Sequence, residues 1–197
     1  MIVILLGESG CGKTSIANVL CENYNFEKIV TYTTRPMRKG EVDGIDYHFI
    51  SNNDFNKLKE DKFFLEISTY NDWQYGSPKN EFYDSVKGNK IAILTPSGYR
   101  NLLRFKDKDL MEVYYNLVNN RYYSFYIKVP RRDRLIKILE RGDDIEEAYR
   151  RNLSDVGMFD GVKDEVDYTI CNYNYNLTPS EISQIILSRI VNQSERE

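Results

Sequence analysis

A short apolar run at the start of the chain leads directly into a glycine-rich loop. Residues Ile2 to Leu6 are all apolar, and Gly7 to Thr14 read GESGCGKT. A continuous apolar run of this length is typical of a strand buried on both faces of a parallel sheet. Apolar residues then recur at helical spacing as far as about Asn23. This segment constrains the fold more than any other, because a strand, a glycine-rich loop and a helix in this order are typical of the start of an α/β nucleotide-binding fold.

The loop matches G-x-x-x-x-G-K-[ST], a pattern that binds the phosphates of a nucleoside triphosphate. Its glycines allow successive backbone N–H groups to point inward, and the N-terminus of the following helix adds positive potential. We expect Lys13 to reach the β- and γ-phosphates, Thr14 to bind Mg²⁺ through its hydroxyl, and Ser15 to support the α-phosphate. A glycine-rich turn without a ligand is the plain alternative, and the flanking strand and helix argue against it. The loop does not identify the phosphate acceptor.

Later segments of the chain alternate between buried strands and helices. The predicted strands are 26–30, 90–94, 123–129 and 168–171, and the predicted helices are 98–105, 131–140 and 179–191. This alternation predicts the α/β class, with a doubly wound parallel sheet of the P-loop NTPase type. Residues 31–87 interrupt it with polar, aromatic and glycine-containing segments, which predicts an inserted β-rich lobe.

The charge of the 197-residue chain gives no reason to expect a polyanionic partner. Its formal net charge is −3, so the overall field favours neither nucleic acid nor an anionic membrane. The apolar runs are shorter than the ~18 residues of a membrane span, and MIVILL lacks the length and basic flank of a signal peptide. We therefore expect a cytoplasmic protein without nucleic-acid or membrane partners. We expect Cys11 and Cys21 to be reduced, and Cys171 to lie in the core.

A cluster of basic residues follows the second predicted strand. Arg35, Arg38 and Lys39 lie within five residues of one another. A solvated basic loop and a phosphate site are both open interpretations of such a cluster. Two guanidiniums three residues apart suit a phosphate dianion, because each offers paired donors and stays charged. The surrounding sequence favours the phosphate site.

That surrounding sequence, TYTTRPMRKGEVDGIDYHF at 31–49, resembles the guanylate kinase family, whose acceptor lobe carries a pattern close to S-x-T-T-R-x-P-R-x-G-E-x-x-G-x-D-Y-x-F. FLE at 64–66 and YGS at 75–77 match the family's next motifs, F-[IL]-E and Y-G-[ST]. With the phosphate loop and, more weakly, the lid, the resemblance covers most of the chain in the family's order. It implies a single domain, 1–197, with a core of 1–30, 88–129 and 156–197, an acceptor-binding lobe at 31–87 and a helical lid at 130–155.

By this resemblance the chain is a guanylate kinase that transfers the γ-phosphoryl group of ATP to GMP or dGMP, with Mg²⁺. The implied ATP-binding residues are Gly7, Glu8, Ser9, Gly10, Cys11, Gly12, Lys13, Thr14 and Ser15, with Thr14 as the metal ligand. The implied GMP-binding residues are Thr31, Arg35, Arg38, Tyr47, Glu66, Tyr75, Ser77 and Thr95. The arginines and tyrosines of this set hold the acceptor phosphate. Glu66 accepts hydrogen bonds from the guanine N1–H and amino group.

Residues 129–152, VPRRDRLIKILERGDDIEEAYRRN, resemble the family's lid. Arg141 matches its lid arginine and Arg151 is a candidate for the second, so the implied catalytic set is Lys13, Arg35, Arg141 and Arg151. Arg131 and Arg150 are further candidates.

The chain also departs from the family pattern. KILERG lacks one arginine of the family's RLxxRG, and the second lid arginine falls near Asn152. ILTPSG at 93–98 lacks the aspartates of the family's LDIDxQG, which relaxes the expected base selectivity and leaves Thr95 a weaker role. The segment 105–121 is extra and has no assigned function.

Other functions remain as alternatives. One is a nucleoside monophosphate kinase of broader base specificity, and another is a catalytically silent module that keeps the fold for protein interaction. Intact Lys13, Thr14, Arg35 and Arg38 argue against the silent module. A P-loop ATPase that uses the nucleotide as a switch leaves the acceptor-lobe motif unexplained. We expect a monomer or a weak homodimer.

Overall fold

The computed structural model describes residues 1–38, 40–70, 72–83, 88–103 and 122–194. Lys39 of the basic cluster and the extra segment 105–121 lie outside these residues. Within them the strands are β1 (Ile2–Leu6), β2 (Phe26–Lys28), β3 (Tyr32–Thr33), β4 (His48–Phe49), β5 (Phe64–Tyr70), β6 (Trp73–Pro78), β7 (Asn89–Ile93), β8 (Tyr122–Lys128) and β9 (Tyr168–Cys171). The helices are α1 (Lys13–Tyr24), α2 (Asn52–Glu60), α3 (Lys79–Tyr83), α4 (Pro96–Leu103), α5 (Arg131–Glu140), α6 (Ile145–Ser154) and α7 (Pro179–Ser194).

Residue contacts divide the chain into two compact units. The first contains residues 1–2 and 27–122, and the second contains residues 3–26 and 123–197. The central-sheet strands β2 and β7 are neighbours in the first unit, whereas β1, β8 and β9 follow one another in the second. The predicted division into core, acceptor lobe and lid stays a prediction.

The second unit has the architecture predicted from the opening segment of the chain. Every residue of β1 is buried, as expected for a strand covered on both faces. β8 and β9 pair in parallel, with Phe125 opposite Tyr168. The buried face of α1, formed by Ile16, Ala17 and Leu20, follows the helical spacing of the sequence. The predicted α/β class with a parallel central sheet is therefore confirmed.

The first unit contains a separate four-stranded sheet in the order β4–β3–β6–β5. β6 pairs antiparallel with β3 and β5, and β3 pairs in parallel with β4. This sheet confirms the β-rich lobe. The helix α2 within it was not predicted. Ser51 caps this helix by accepting a hydrogen bond from Asp54 N, and the buried ring of Phe55 stacks on Phe64 with 4.6 Å between centroids.

Some predictions about the elements were wrong. Cys171 is exposed and not in the core, because β9 is the edge strand and Ile170 is its buried residue. The second strand ends at Lys28 rather than at residue 30, and α4 begins two residues earlier than predicted, at Pro96. In the described part of the chain, no helix combines the length and apolar character needed to cross a membrane.

Candidate active site

The predicted phosphate-binding loop joins β1 to α1 in the second unit. Gly12 precedes α1 with a φ of 93°, a left-handed conformation that favours glycine. Gly7 leaves no room for a side chain, since a Cβ atom there would lie 2.7 Å from Ile127 O. Close backbone packing therefore requires glycine at the start of the loop, and the turn into the helix favours it at the end.

The side chain of Lys13 lies over this loop. Its Nζ donates hydrogen bonds to the carbonyl oxygens of Gly7, at 2.6 Å, and Glu8, at 3.1 Å. Thr14 and Ser15 are exposed in the first turn of α1. The ammonium group, the two hydroxyls and the helix N-terminus thus share one end of α1, as polyphosphate binding requires.

The donor set of this loop fits Mg²⁺ bound together with nucleotide phosphates. Magnesium ions in such sites take one or two protein oxygens and several from phosphates and water. The exposed hydroxyl of Thr14 is one such oxygen. Among the described residues, no group of three or more His, Cys, Asp or Glu side chains is placed to hold a metal ion. The fit is therefore to a phosphate-bound ion and not to an all-protein cage.

Side chains that the sequence did not single out pack around the loop. The Tyr175 hydroxyl donates to Gly10 O at 2.7 Å, and the Tyr126 hydroxyl donates to Glu8 Oε1 at 3.0 Å. Burial is the largest cause of the raised pKa of Tyr175, about 12. Arg134 and Asp155 both contact Ser9. One feature of the sequence could have pointed to this cluster. Arg134 lies four positions before Ile138, so this charged residue shares the buried face of the helix with an apolar one.

A pocket of about 400 Å³ lies beside this cluster in the second unit. Glu8, Tyr126, Arg131, Arg134, Asn152 and Asp155 are among the residues that line it. Two buried atoms of these residues, Glu8 Oε2 and Asn152 Nδ2, have no hydrogen-bond partner in the described part of the chain. The other side-chain atom of that amide, Asn152 Oδ1, accepts a hydrogen bond from Arg131 Nε.

The predicted lid arginines converge on one carboxylate. Arg141 pairs with Asp143, and Arg151 Nη1 donates to Asp143 Oδ2 at 2.8 Å. Arg141 is exposed, whereas Arg151 is buried. Arg150 instead forms a two-bond pair with Glu147 on the same helix. The structure thus brings two of the predicted catalytic residues together around Asp143, which the sequence reasoning had not assigned.

The two arginines of the predicted acceptor-phosphate site also share a carboxylate, in the first unit. Arg35 donates to both oxygens of Glu41, at 2.8 and 3.0 Å, and Arg38 N donates to the same group at 2.7 Å. Burial of Arg35 acts to lower its pKa, but the hydrogen bond and charge of Glu41 outweigh it, so the pKa is raised. The same contacts outweigh burial at Glu41 and lower the pKa of its carboxyl group. Glu41 was overlooked, although it is the E of the quoted R-K-G-E segment.

The predicted tyrosines lie close to Arg35. The Arg35 guanidinium is 5.2 Å from the ring centroid of Tyr47, and the rings of Tyr47 and Tyr75 are 6.1 Å apart in an edge-to-face arrangement. Burial is the largest cause of the raised pKa of Tyr75, so this phenol stays a hydrogen-bond donor at neutral pH. Guanidinium and phenol donors therefore gather at one place in this unit.

Glu66 is a buried carboxylic acid with one side-chain oxygen available for a ligand. The Ser77 hydroxyl donates to Glu66 Oε1 at 2.6 Å, whereas Glu66 Oε2 is buried and has no partner among the described residues. Burial raises the pKa of Glu66 to about 7, and the Ser77 hydrogen bond opposes this only in part. An unpartnered buried acceptor is costly, and a ligand with N–H donors would satisfy it.

The ILTPSG segment places Thr95 next to this acid. Thr95 Oγ1 donates to Ser68 Oγ at 3.1 Å and accepts from Gly98 N at 3.0 Å. A Cβ atom at Gly98 would lie 2.8 Å from Glu66 Oε2. Thr31 is also buried, and its carbonyl accepts a hydrogen bond from His48 N. The Thr95 hydroxyl is therefore engaged within the protein, and glycine at position 98 keeps space in front of Glu66.

Comparisons with known proteins found similar sequences and a similar fold. A family model described as Guanylate kinase matches residues 1–186. The guanylate kinase of Aster yellows witches'-broom phytoplasma (strain AYWB) is 42% identical over 96 residues, only 48% of this chain and 46% of that protein. That of Rickettsia prowazekii (strain Madrid E) is 30% identical over 195 residues, 95% of this chain and 91% of that protein. A crystal structure of guanylate kinase from Anaplasma phagocytophilum has a TM-score of 0.67 and 24% identity, covering 100% of this chain and 87% of that one, and it supports the fold.

Proposed function

Because the chain belongs to the guanylate kinase family, we propose that it transfers the γ-phosphoryl group of ATP to GMP or dGMP, with Mg²⁺. The products are ADP and GDP or dGDP. The choice of acceptor rests on one observation. Glu66 is a buried acid, and its Oε2 has no hydrogen-bond partner among the described residues. We expect the protein to act in the cytoplasm as a monomer or a weak homodimer.

Glu66 favours a guanine acceptor because a carboxylate accepts hydrogen bonds, and the two purine bases differ in the donors that they offer to it. Guanine offers two adjacent donors, N1–H and the 2-amino group, whereas adenine has an acceptor at N1. Ionised Glu66 accepts from both donors, and Ser77 helps to hold the carboxylate in place. An adenine ring would leave the buried carboxylate unsatisfied and would place two acceptors against each other, which is strongly unfavourable.

Arg35, Arg38 and the two tyrosines supply the donors for the acceptor phosphate. Glu41 already holds both oxygens against the Arg35 fork, so the guanidinium is oriented before a phosphate arrives. A phosphate dianion brings more negative charge than the carboxylate and favours the same planar donors. The Tyr47 and Tyr75 hydroxyls add neutral donors nearby.

At the other substrate, Lys13 and the backbone of the loop bind the polyphosphate of ATP. Mg²⁺, when bound, neutralises negative charge that builds up on the transferred group. Thr14 would hold this ion, and Lys13 would leave its carbonyl partners Gly7 and Glu8 for the phosphate oxygens. Arg141 and Arg151 would add positive charge from the predicted lid. These residues do no covalent chemistry, since phosphoryl transfer depends on alignment and charge stabilisation.

The proposal is tested by ADP release with GMP, dGMP, AMP, UMP and dTMP as acceptors in turn. We expect turnover with GMP and dGMP to exceed turnover with the other three. Equal turnover with dTMP would refute the guanine preference and favour a monophosphate kinase of broader base specificity. The Thr95 hydroxyl gives a reason for that alternative, because it already bonds to Ser68 and Gly98 within the protein. ATP binding without turnover of any acceptor would refute the kinase.

A further inference from the structure

The backbone of Ser9, in the middle of the phosphate-binding loop, is held on both sides by side chains from outside the loop. Ser9 N donates to Asp155 Oδ2 at 2.8 Å. Ser9 O accepts from Arg134 Nη1 at 3.2 Å. The same Nη1 atom donates to Asp155 Oδ2 at 3.1 Å, so Arg134, Asp155 and Ser9 form a closed set of contacts. We call Arg134 and Asp155 the Ser9 clamp.

Both members of the clamp are buried and held in place by further contacts. Arg134 is 5% exposed and Asp155 is 7% exposed. Arg134 Nε donates to Val129 O at 3.1 Å, and Nη2 lies 3.8 Å from Glu8 Oε1. A buried guanidinium with several acceptors in fixed positions has little freedom to move, and removing it strands its partners.

The helices that carry the clamp contact the loop directly. Arg134 is in α5, and Asp155 is the C-terminal cap of α6. A Cβ atom at Gly10 would lie 3.0 Å from Arg134 O and from side-chain atoms of Ile138. The loop thus lies against α5 without space for a side chain, so movement of Arg134 or its helix is transmitted to the loop backbone.

The charges of the cluster make Arg134 the more important of the two. Glu8 and Asp155 place two carboxylates beside a loop that is expected to receive a polyanion, and Arg134 pairs with both. Without Arg134 these two carboxylates would face the phosphates without a compensating positive charge. Without Asp155 the loop would lose one hydrogen bond, but Arg134 would keep Glu8 and Ser9 O as partners.

We propose that Arg134 and Asp155 are positioning residues for ATP, which hold the Ser9 backbone and thereby set the shape of the phosphate-binding loop before the phosphates arrive. This proposal rests on the proposed function only in taking a nucleoside triphosphate as the ligand of the loop. Backbone N–H groups bind phosphate well when they are oriented in advance, because no ordering cost is then paid on binding. The clamp acts through the loop and does not itself touch the phosphates.

The test measures binding of ATP and of inorganic tripolyphosphate to the full-length chain by titration calorimetry. We expect Arg134→Met to weaken both ligands by at least about tenfold, the scale of losing a charge-assisted hydrogen bond. Asp155→Asn keeps an acceptor for Ser9 N and is expected to stay within about threefold of wild type. The double variant Arg134→Met/Asp155→Asn should bind better than Arg134→Met alone, because it removes the charge of one stranded carboxylate and keeps an acceptor for Ser9 N.

Matched measurements separate this effect from misfolding. Arg132→Met, an exposed site on the same helix, is expected to bind both ligands as wild type does. GMP affinity, which depends on residues of the other unit, should be unchanged in all variants with a wild-type circular dichroism spectrum. In steady-state assays, KM for ATP should rise while KM for GMP stays constant. A general loss of structure would move both.

The outcomes for the clamp and for the proposed function are distinct. If wild type phosphorylates GMP and folded Arg134→Met binds tripolyphosphate as tightly as wild type, the clamp is refuted and the kinase stands. If wild type binds tripolyphosphate but phosphorylates no acceptor, and Arg134→Met binds tripolyphosphate more weakly than wild type does, the clamp stands and the kinase is refuted. A double variant weaker than Arg134→Met would overturn the assigned charge role.

Discussion

Replacing Glu66 by Gln should stabilise the folded protein at high pH while it damages the substrate site. Glu66 is 5% exposed, and burial raises its pKa from 4.5 to about 7. Glutamine has nearly the same shape, keeps an acceptor oxygen for the Ser77 hydroxyl, and does not titrate. The substitution therefore removes the cost of ionising a buried acid and leaves most of the packing intact.

The size and sign of the effect follow from proton linkage. Between pH 4.5 and about 7 the folded state binds the Glu66 proton more tightly than the unfolded state, so the stability of wild type falls as pH rises through this range. The cost is absent below the unfolded pKa and complete above the folded one. A pKa raised from 4.5 to about 7 corresponds to about 3 kcal/mol at 1.36 kcal/mol per pH unit. The difference in unfolding free energy, variant minus wild type, should grow by about that amount between pH 4.5 and 8.

Urea unfolding at pH 4.5, 6 and 8, followed by circular dichroism, measures this difference directly. Glu41→Gln provides a control of opposite sign. The pKa of Glu41 is lowered from 4.5, so its ionised form stabilises the fold and the variant should lose stability relative to wild type as pH rises toward about 5. Because this change falls mainly below pH 4.5, the control pair is also measured at about pH 3. A Glu66→Gln difference that stays constant from pH 4.5 to 8, or that shrinks as pH rises, would refute the argument from burial.

Three further predictions concern the acceptor site. In Glu66→Gln, KM for GMP should rise at least about tenfold with KM for ATP unchanged. In wild type, KM for GMP should decrease as pH rises through about 7, where Glu66 ionises, and this pH dependence should be lost in the variant. Equal pH profiles for the two proteins would contradict this. Arg35→Lys keeps the charge but loses the planar fork, so KM for GMP should rise about tenfold or more, and an unchanged KM would remove Arg35 from the phosphate site. Gly98→Ala places a methyl group 2.8 Å from Glu66 Oε2, so calorimetry should show weaker GMP binding with ATP binding unaltered; wild-type GMP affinity would show that the acid shifts freely.

Most of the fold was predictable from local patterns. The apolar run of β1, the glycine loop and the helical spacing of α1 depend on neighbouring residues, and the structure has all three. α2 was missed because its mean composition is polar, NNDFNKLKE, and its one buried residue is Phe55. A single buried aromatic residue leaves little helical periodicity to detect. Cys171 was misplaced for a related reason, since an edge strand and a central strand have similar short sequences.

Prediction of the candidate site was limited to residues with a motif. GESGCGKT and the T-T-R-x-x-R-x-G-E segment predicted a set of phosphate-binding residues by chemical type and spacing. Their partners were not predictable in the same way. Asp155 reaches Ser9 across 146 positions of the chain. Asp143 and Glu41 are near their arginines in sequence, yet acids beside arginines are common on solvated faces and gave no separate signal.

The properties of Glu66 show where sequence information ends. Its place after Phe64 and Leu65 and before the later YGS motif was visible in the sequence, and its expected contact with guanine followed from the resemblance to the guanylate kinase family. Its raised pKa and its unpartnered Oε2 were not. They arise because β5 and β6 pair with Glu66 opposite Ser77, while Gly98 at α4 leaves space beside the acid. Residue type and spacing decide which groups are available, but burial and long-range pairing decide how strongly each group holds a proton or a partner, because both depend on the low-dielectric surroundings that only the folded chain creates.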